Sequence, residues 1–552
     1  MTETSASLAI PQGEEPALDP RRWIALASVL TGLFMILLDL SIVTVAIPAI
    51  RDSLGAGNAD IQFVVAGYGL AYAVMLITGG RLGDLYGRKR LFMAGMAGFV
   101  VASALCGLAQ SAVMLDLSRV AQGLMAALMY PQVYSVIQVA FPPRERGRVF
   151  GLVGAVIGIA TITGPLVGGL IIRGDLTGDA WRWIFLVNVP IGIGSLTAAS
   201  RVVSESRAPG ATRLDLTGVA LATAGLGLLV YPLVQGQSSG WPAWTFACMA
   251  LSPVVLAIFV GYERSLPPGR FPLVQLSLFK IPSFRLGVVI SAAFLAGVPS
   301  FFFVFILLLQ TGLGYSALHA GLTTVPWTAG VAVASILSAK IASRLGKWTI
   351  VIGSALLVAG TLGIIYTLHL LGVKLASSDL IPSFLVAGAG LGTVIAPLLN
   401  VILGGVPPRD AGSSSGVLTT FQQLGGAIGV AIVGVAFFSL VSGAAPRSVA
   451  DVTPALRAQL AAQHLPAPAV ASAVTTFGRC FDRQASSSNP TRTPPGCPPV
   501  SAALDQAGLS AVGHDFASAT ERVLFLQVGF WALTGLLAIF LPRARREVAH
   551  GG

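Results

Sequence analysis

From Trp23 to Ile50 the chain runs for 28 residues with one charged side chain, Asp39, and similar apolar stretches recur along nearly its whole length. Runs of about 20 apolar residues, parted by short charged or Gly/Pro-rich joints, are long enough for helices to cross the hydrocarbon of a bilayer. Fourteen such runs follow one another, the first near 23–49 and the last near 521–541. The pattern therefore predicts an all-α polytopic membrane protein with fourteen transmembrane helices. Asp39 lies inside the first, where a carboxylate costs roughly 2.5–3.5 kcal/mol on insertion scales. It must face protein or water, and it is the first candidate for a functional group. At 3.6 residues per turn it shares a face with Gly32, Met35, Val43 and Ala46, small enough in part for a second helix to approach closely, while Ser41, Thr44 and Pro48 lie elsewhere.

The chain contains a repeat. PPRERG at 142–147 returns as PPRDAG at 407–412, and the loop GGRLGDLYGRKR at 79–90 has a weaker echo, SAKIASRLGK, at 338–347. Repeats at matching places in two hydrophobic halves predict two related bundles with a substrate path between them. The expected layout is a tail over 1–20, a six-helix bundle over 21–203, two inserted helices with linkers over 204–283, five helices of a second bundle over 284–442, an outer loop over 443–519, and a last helix with its tail over 520–552. Within the outer loop the Ser/Pro-rich stretch 485–499 is unsuited to a packed core, and short amphipathic helices are expected over 453–475 and 500–519.

Composition agrees and removes other classes. Of 552 residues, 54% are hydrophobic and 10% charged, with a mean hydropathy of +0.80. A net charge of +11 would suit a polyanion, but 23 of the 34 Lys and Arg fall on the side carrying Arg21 and Arg22, and 10 on the other. That is the positive-inside bias of a membrane protein; no nucleic-acid partner is implied, and both termini are expected in the cytoplasm. The first 20 residues hold four acids and no base, which does not resemble a cleavable signal, so the first helix is expected to stay. No phosphate-binding loop and no metal-spaced His/Cys set is present, so neither enzyme, cofactor, metal site nor ATP drive is expected. Cys106 and Cys248 read as small packing residues. Cys480 and Cys497, with 16 residues between them on the oxidising side, read as a disulfide.

Several motifs carry chemistry. Gly80, Leu82, Asp84, Gly87, Arg88, Lys89 and Arg90 form a charged turn whose Asp and bases can pair with helix ends of the opposite half and latch one side shut; an ordinary positive-inside loop is the competing reading. Arg119, Gln122, Gly123, Ala126, Ala127 and Tyr130 share one face of the fourth helix. A guanidinium within a membrane needs a carboxylate, and the candidates are Asp39 and Asp116. In the fifth helix Gly154 and Gly158 allow close helix contact, Gly164 and Pro165 interrupt the ladder, and Gly168 and Gly169 loosen its end.

These segments resemble the signature motifs of the major facilitator superfamily: the G-x-L-x-D-x-x-G-R-K loop, the Arg119 motif, and the G-P-x-x-G-G antiporter ending. LDLSIVTVAIP, WRWIFLVNVPIG from Trp181 and RLDLTG from Arg213 are similar to segments of its fourteen-helix drug/proton antiporters, with Ser41 and Thr44 departing from the usual Thr and Asn. The resemblance implies two six-helix bundles plus two inserted helices, in a bacterial plasma membrane, exporting amphiphilic drugs or antibiotics against protons, with lipids around a monomer. Proton coupling would fall to Asp39 and Arg119, and cargo contact to Met35, Gln122, Tyr130, Gln422 and Gln423. Scarce acids in the later helices point to neutral or weakly charged cargo. A lipid or secondary-metabolite exporter, or a non-transporting sensor, are the alternatives.

Overall fold

The computed structural model describes residues 19–56, 58–174, 179–208, 214–236, 240–267, 272–462, 466–485, 497 and 502–542. Outside the described residues lie most of the N-terminal tail, Arg213, most of the Ser/Pro-rich stretch, and the basic tail with Arg543, Arg545 and Arg546. The described chain is helical almost throughout. Its helices are α1 (Arg22–Leu54), α2 (Asn58–Tyr86), α3 (Arg88–Gly107), α4 (Ala112–Ala140), α5 (Pro143–Arg173), α6 (Trp183–Leu186), α7 (Asn188–Val202), α8 (Leu216–Gln235) and α9 (Ala243–Ser265). There follow α10 (Pro282–Leu307), α11 (Ala317–Thr323), α12 (Val325–Leu345), α13 (Trp348–Leu371), α14 (Ile381–Gly404), α15 (Ala411–Ala462), α16 (Ala467–Ala485) and α17 (Ala502–Ile539). Among the described residues, 14 segments are long and apolar enough to cross a membrane, at the places the hydrophobic runs predict. Large apolar side chains such as Val101, Leu117, Trp183 and Tyr366 stand exposed on the outside, as lipid contact requires.

The first bundle is built by α1 against α5 and α7, and by α4 against α2 and α3. The second is built by α14 against α12 and α13, and by α10 and α13 against α17. Between them α2 packs on α15, and α5 on α12 and α14. The inserted pair α8 and α9 lies outside both bundles, with α8 on α2. Asp215 caps α8 by accepting from the Gly218 N–H at 3.0 Å, which satisfies one of the free donors of the first turn. Gly87 breaks α2 from α3 at φ +108°, a conformation that a β-carbon disfavours, and a Cβ there would meet the Glu205 carboxylate at 2.5 Å. Where α1 and α5 begin, Arg22 grips Glu145 through two hydrogen bonds of 3.0 and 3.2 Å.

The segment beyond the membrane is more helical than expected. α15 runs unbroken to Ala462, and its last turns place Leu456 and Leu460 against Val474 of α16, in a small core that Val470 and Phe477 complete. Its Ala-rich sequence favours helix, and Leu456 and Leu460 face one way at i, i+4. The expected helix over 453–475 is thus two helices meeting, and that over 500–519 is the start of α17.

Cys480 of α16 is bridged to Cys497, with Cα atoms 5.9 Å apart. Closing a loop of that length contributes about 3 kcal/mol by restricting the unfolded chain. Both thiols should resist alkylation until the protein is reduced, and Cys480→Ser should speed limited proteolysis of the outer segment. Two thiols alkylated without reduction would remove the bridge.

Candidate functional site

Five helices converge on Asp39, which is wholly buried in α1. Its Oδ2 accepts from Arg119 Nη1 of α4 at 2.5 Å; its Oδ1 accepts from Gln122 Nε2 at 2.9 Å and from Asn188 Nδ2 of α7 at 3.2 Å. Arg119 also donates through Nη1 to Gln122 Oε1 at 2.7 Å and through Nε to the Val64 carbonyl of α2 at 3.0 Å, and its guanidinium lies 4.2 Å from the centre of the Tyr68 ring. Ser103 of α3 receives Gln122 and Asn188 at 3.2 and 3.1 Å and donates to the Phe185 carbonyl at 2.9 Å. Buried charges are tolerated when the lone pairs and protons find partners, and here the carboxylate has three donors. Of the two sequence candidates, the guanidinium takes Asp39.

A cavity of about 310 Å³ lies between the bundles. The first bundle lines it with Ser41, Tyr72, Tyr130, Tyr134 and Gly158, the second with Phe294, Phe302, Trp327, Thr328, Gln422 and Gln423 among others. Among the lining residues there is no carboxylate, amine, guanidinium or imidazole. Gln422 donates to Ser291 Oγ at 3.1 Å, and the Tyr130 and Tyr134 hydroxyls are 3.3 Å apart. Aromatic faces and hydroxyl or amide groups without charge make a surface for planar, weakly polar molecules.

Two cavity expectations need correction. Met35 is buried on the face of α1 that meets α7, where it reaches Gly192, and Gln122 is spent on Asp39 and Arg119, so neither lines the cavity. The helical wheel groups them correctly with the charged pair. That pair, however, faces into the first bundle and away from the cavity. Sequence reasoning also missed Asn188 and Ser103; Asn188 stands in the quoted segment WRWIFLVNVPIG, but carries no charge to single it out.

The two halves are joined at the end of the bundles that carries Asp84. That side chain, fully buried, accepts from the N–H groups of Gly412 and Ser413 at 3.0 and 2.9 Å, in the first turn of α15, and from Arg88 Nη2 at 2.8 Å. Free N–H groups and the helix dipole make that terminus a carboxylate site. Arg88 also donates to the Pro408 carbonyl at 2.9 Å, across to the second half. Gly80 meets Gly412 and Gly416 so closely that a Cβ has no room there. Lys89 does not cross; it donates to the Ser200 carbonyl at 2.7 Å.

Helix α5 stands between this machinery and the second half. Gly164 and Gly168 press on Ser41 and Ile42 of α1, two and three residues from Asp39. On its other side Gly154 and Gly158 meet Ser335 and Val331 of α12, Pro165 meets Gly321, and Gly169 lies near Leu318 of α11. The small residues thus serve two contacts rather than one.

Two helical bundles around a central cavity, with a buried ion pair in one and an interlocked end, define a multi-pass membrane transport protein. The chain belongs to the Major Facilitator Superfamily, whose family model matches residues 29–430. It is similar to the probable actinorhodin transporter of Streptomyces coelicolor, at 38% identity over 96% of this chain and 93% of that protein. It is also similar to the tetracenomycin C resistance and export protein of Streptomyces glaucescens, at 32% identity over 78% of this chain and 79% of that one. Among solved structures, the human organic anion transporter MFSD10 aligns with a TM-score of 0.54 over 75% of this chain and 93% of its own, at 17% identity, which bears on the fold alone.

Hydrogen bonds to a charged group contribute about 1.5–3 kcal/mol each, so Asp84→Asn should weaken the closed end by about 2 kcal/mol, roughly 30-fold in the balance of states. A reporter is Ser415→Cys, buried between α4 and α15 where Ser135 lies 3.3 Å away, with Cys106 and Cys248 replaced by Ala. Its labelling by a polar maleimide should rise by that order in the variant. Labelling at the parent rate, with normal transport, would remove the latch role.

Proposed function

We propose that this protein exports neutral, amphiphilic aromatic molecules, antibiotics among them, across a bacterial plasma membrane in exchange for protons, with both termini in the cytoplasm. The observation that carries the reading is the buried Asp39 network beside an aromatic cavity that has no charged side chain. In alternating access the two bundles rock about the cavity, and Asp84 of α2, bound to the start of α15, fastens one end while the other is open. The Arg-rich ends of the spans favour a cytoplasmic Asp84 end, and on that reading the fastened state is the one from which cargo leaves. Asp39 is the group whose charge the cycle changes. A proton there would displace a donor, freeing Arg119 and loosening α1 from α4, and the contacts of Gly164 and Gly168 would pass that movement to α5 and on to α12.

A secondary-metabolite cargo has specific support. The likeness to the probable actinorhodin transporter runs over 96% of this chain, so it takes in much of the outer helical segment as well as the spans. The phenolic and indole rings of Tyr130, Tyr134 and Trp327 suit a fused aromatic ring system.

Asp39→Asn keeps the size and removes the titration. In inside-out vesicles the wild type should concentrate a fluorescent anthracycline under an imposed pH gradient, and the variant should bind it but fail to concentrate it. Pumping at the wild-type rate by well-folded Asp39→Asn would place proton coupling elsewhere. Separately, Trp327→Ala should weaken anthracycline binding about 10-fold, the scale of one lost aromatic pair. Unchanged affinity would show that the cargo sits outside this cavity.

A further inference from the structure

The inserted helices α8 and α9 take no part in the cavity or in the Asp39 network, yet their two connecting segments both end on the latch. The first, after α7, holds the latch loop of the first half. Ser206 gives its carbonyl to the Arg88 N–H at 3.0 Å, the Ala208 N–H donates to the Asp84 carbonyl at 3.1 Å, and Glu205 accepts from the N–H groups of Lys89 and Arg90, both at 3.2 Å. The second, 272–280, crosses to the other half, where the Gln275 N–H donates to Ser413 Oγ at 3.4 Å. Ser413 is the residue whose own N–H holds the Asp84 carboxylate.

What fixes this second segment is Glu263, buried in the last turn of α9. Its Oε1 accepts from the N–H groups of Leu273 and Val274 at 3.0 and 3.4 Å. Leu273 and Val274 are themselves buried, so without that oxygen two backbone donors would lose a partner in an apolar setting. Gly218, in the first turn of α8, lies against the same carboxylate, and Tyr262 donates to Asp215 at 2.9 Å. The ends of the pair are therefore locked to each other, and Glu263 carries the lock to the strap.

We propose that α8 and α9 are a clasp across the closed end: one linker grips the latch loop of the first half, the strap 272–280 grips the start of α15 in the second, and Glu263 is the positioning residue that holds the strap. Opening this end parts Gly80 from Gly412, so the series of contacts that runs from α2 through α8, α9 and Glu263 to the strap and Ser413 has to give at one of its links. The inserted pair thereby deepens the closed state. The proposal rests on the alternating-access reading only for its consequence in transport; the contacts and the labelling assay below do not require flux.

The experiment uses the full chain, purified, with the Ser415→Cys reporter. Glu263→Ala removes the acceptor, whereas Glu263→Gln keeps a carbonyl oxygen in its place. Glu263→Ala should raise reporter labelling about fivefold, which is about 1 kcal/mol at 1.4 kcal/mol per decade, and Glu263→Gln should restore the parent rate. Ser413→Ala, which cuts the strap from α15 while leaving the N–H to Asp84, should raise labelling in the same direction, and it tests the clasp even if Glu263→Ala folds poorly. Labelling unchanged in both alanine variants overturns the clasp. Labelling raised equally by Glu263→Gln and Glu263→Ala also overturns it, since the charge and not the acceptor would then matter. A protein that labels as expected but moves no anthracycline in vesicles would refute the exporter reading and leave the clasp standing.

Discussion

The first bundle depends on giving one buried carboxylate, Asp39, its partners inside a membrane. Taking an ion out of water costs several kcal/mol, and removing one member of a buried pair costs about 3–5 kcal/mol because the other is left alone. Asp39 is held by Arg119, Gln122 and Asn188, and these in turn by Ser103, the Val64 carbonyl and the Tyr68 ring. Five helices are thus bound to a single side chain. Its partners are also shared with one another, Arg119 with Gln122, and Gln122 and Asn188 with Ser103.

Two routes lead away from the pair. Along α1, Ser41 and Ile42 bear on Gly164 and Gly168 of α5, whose far side bears on the second half at Val331 and Ser335. Through aromatic rings, Arg119 lies on Tyr68, Tyr68 stacks on Tyr72 at 6.1 Å, and Tyr72 meets Tyr130 edge-on at 5.9 Å; the last two line the cavity. At the closed end a second buried carboxylate, Asp84, plays a different part. Besides Arg88 of its own half, its partners are backbone N–H groups of the other half, so those bonds exist only while the halves are together.

Much of this was legible in the sequence, for identifiable reasons. Helix number and place could be read because lipid forbids unpaired backbone and so demands long apolar runs. The partnership of Asp39 with Arg119 could be read because few other charges lie deep in the spans. The misplacement of Met35 and Gln122 in the cavity marks where that reading stops: a helical wheel says which residues face together, not which neighbour they face. Asn188 and Ser103 were hidden because neutral polar residues are ordinary in such helices until a geometry joins them. The strap at 272–280 was hidden more completely, since its grip depends on backbone groups of Leu273, Val274 and Gln275 that no side-chain pattern announces. The unbroken run of α15 past the membrane shows the converse, an Ala-rich stretch continuing a helix where polarity suggested a loop.

The proposal that export is coupled to protons through Asp39 is tested most directly by proton release. Purified protein in weakly buffered detergent solution, with a pH indicator, would be mixed with an excess of anthracycline. The proposal predicts proton release on cargo binding by the wild type and none by Asp39→Asn, which still binds cargo. Equal release by the two proteins, or binding without release by the wild type, would contradict it.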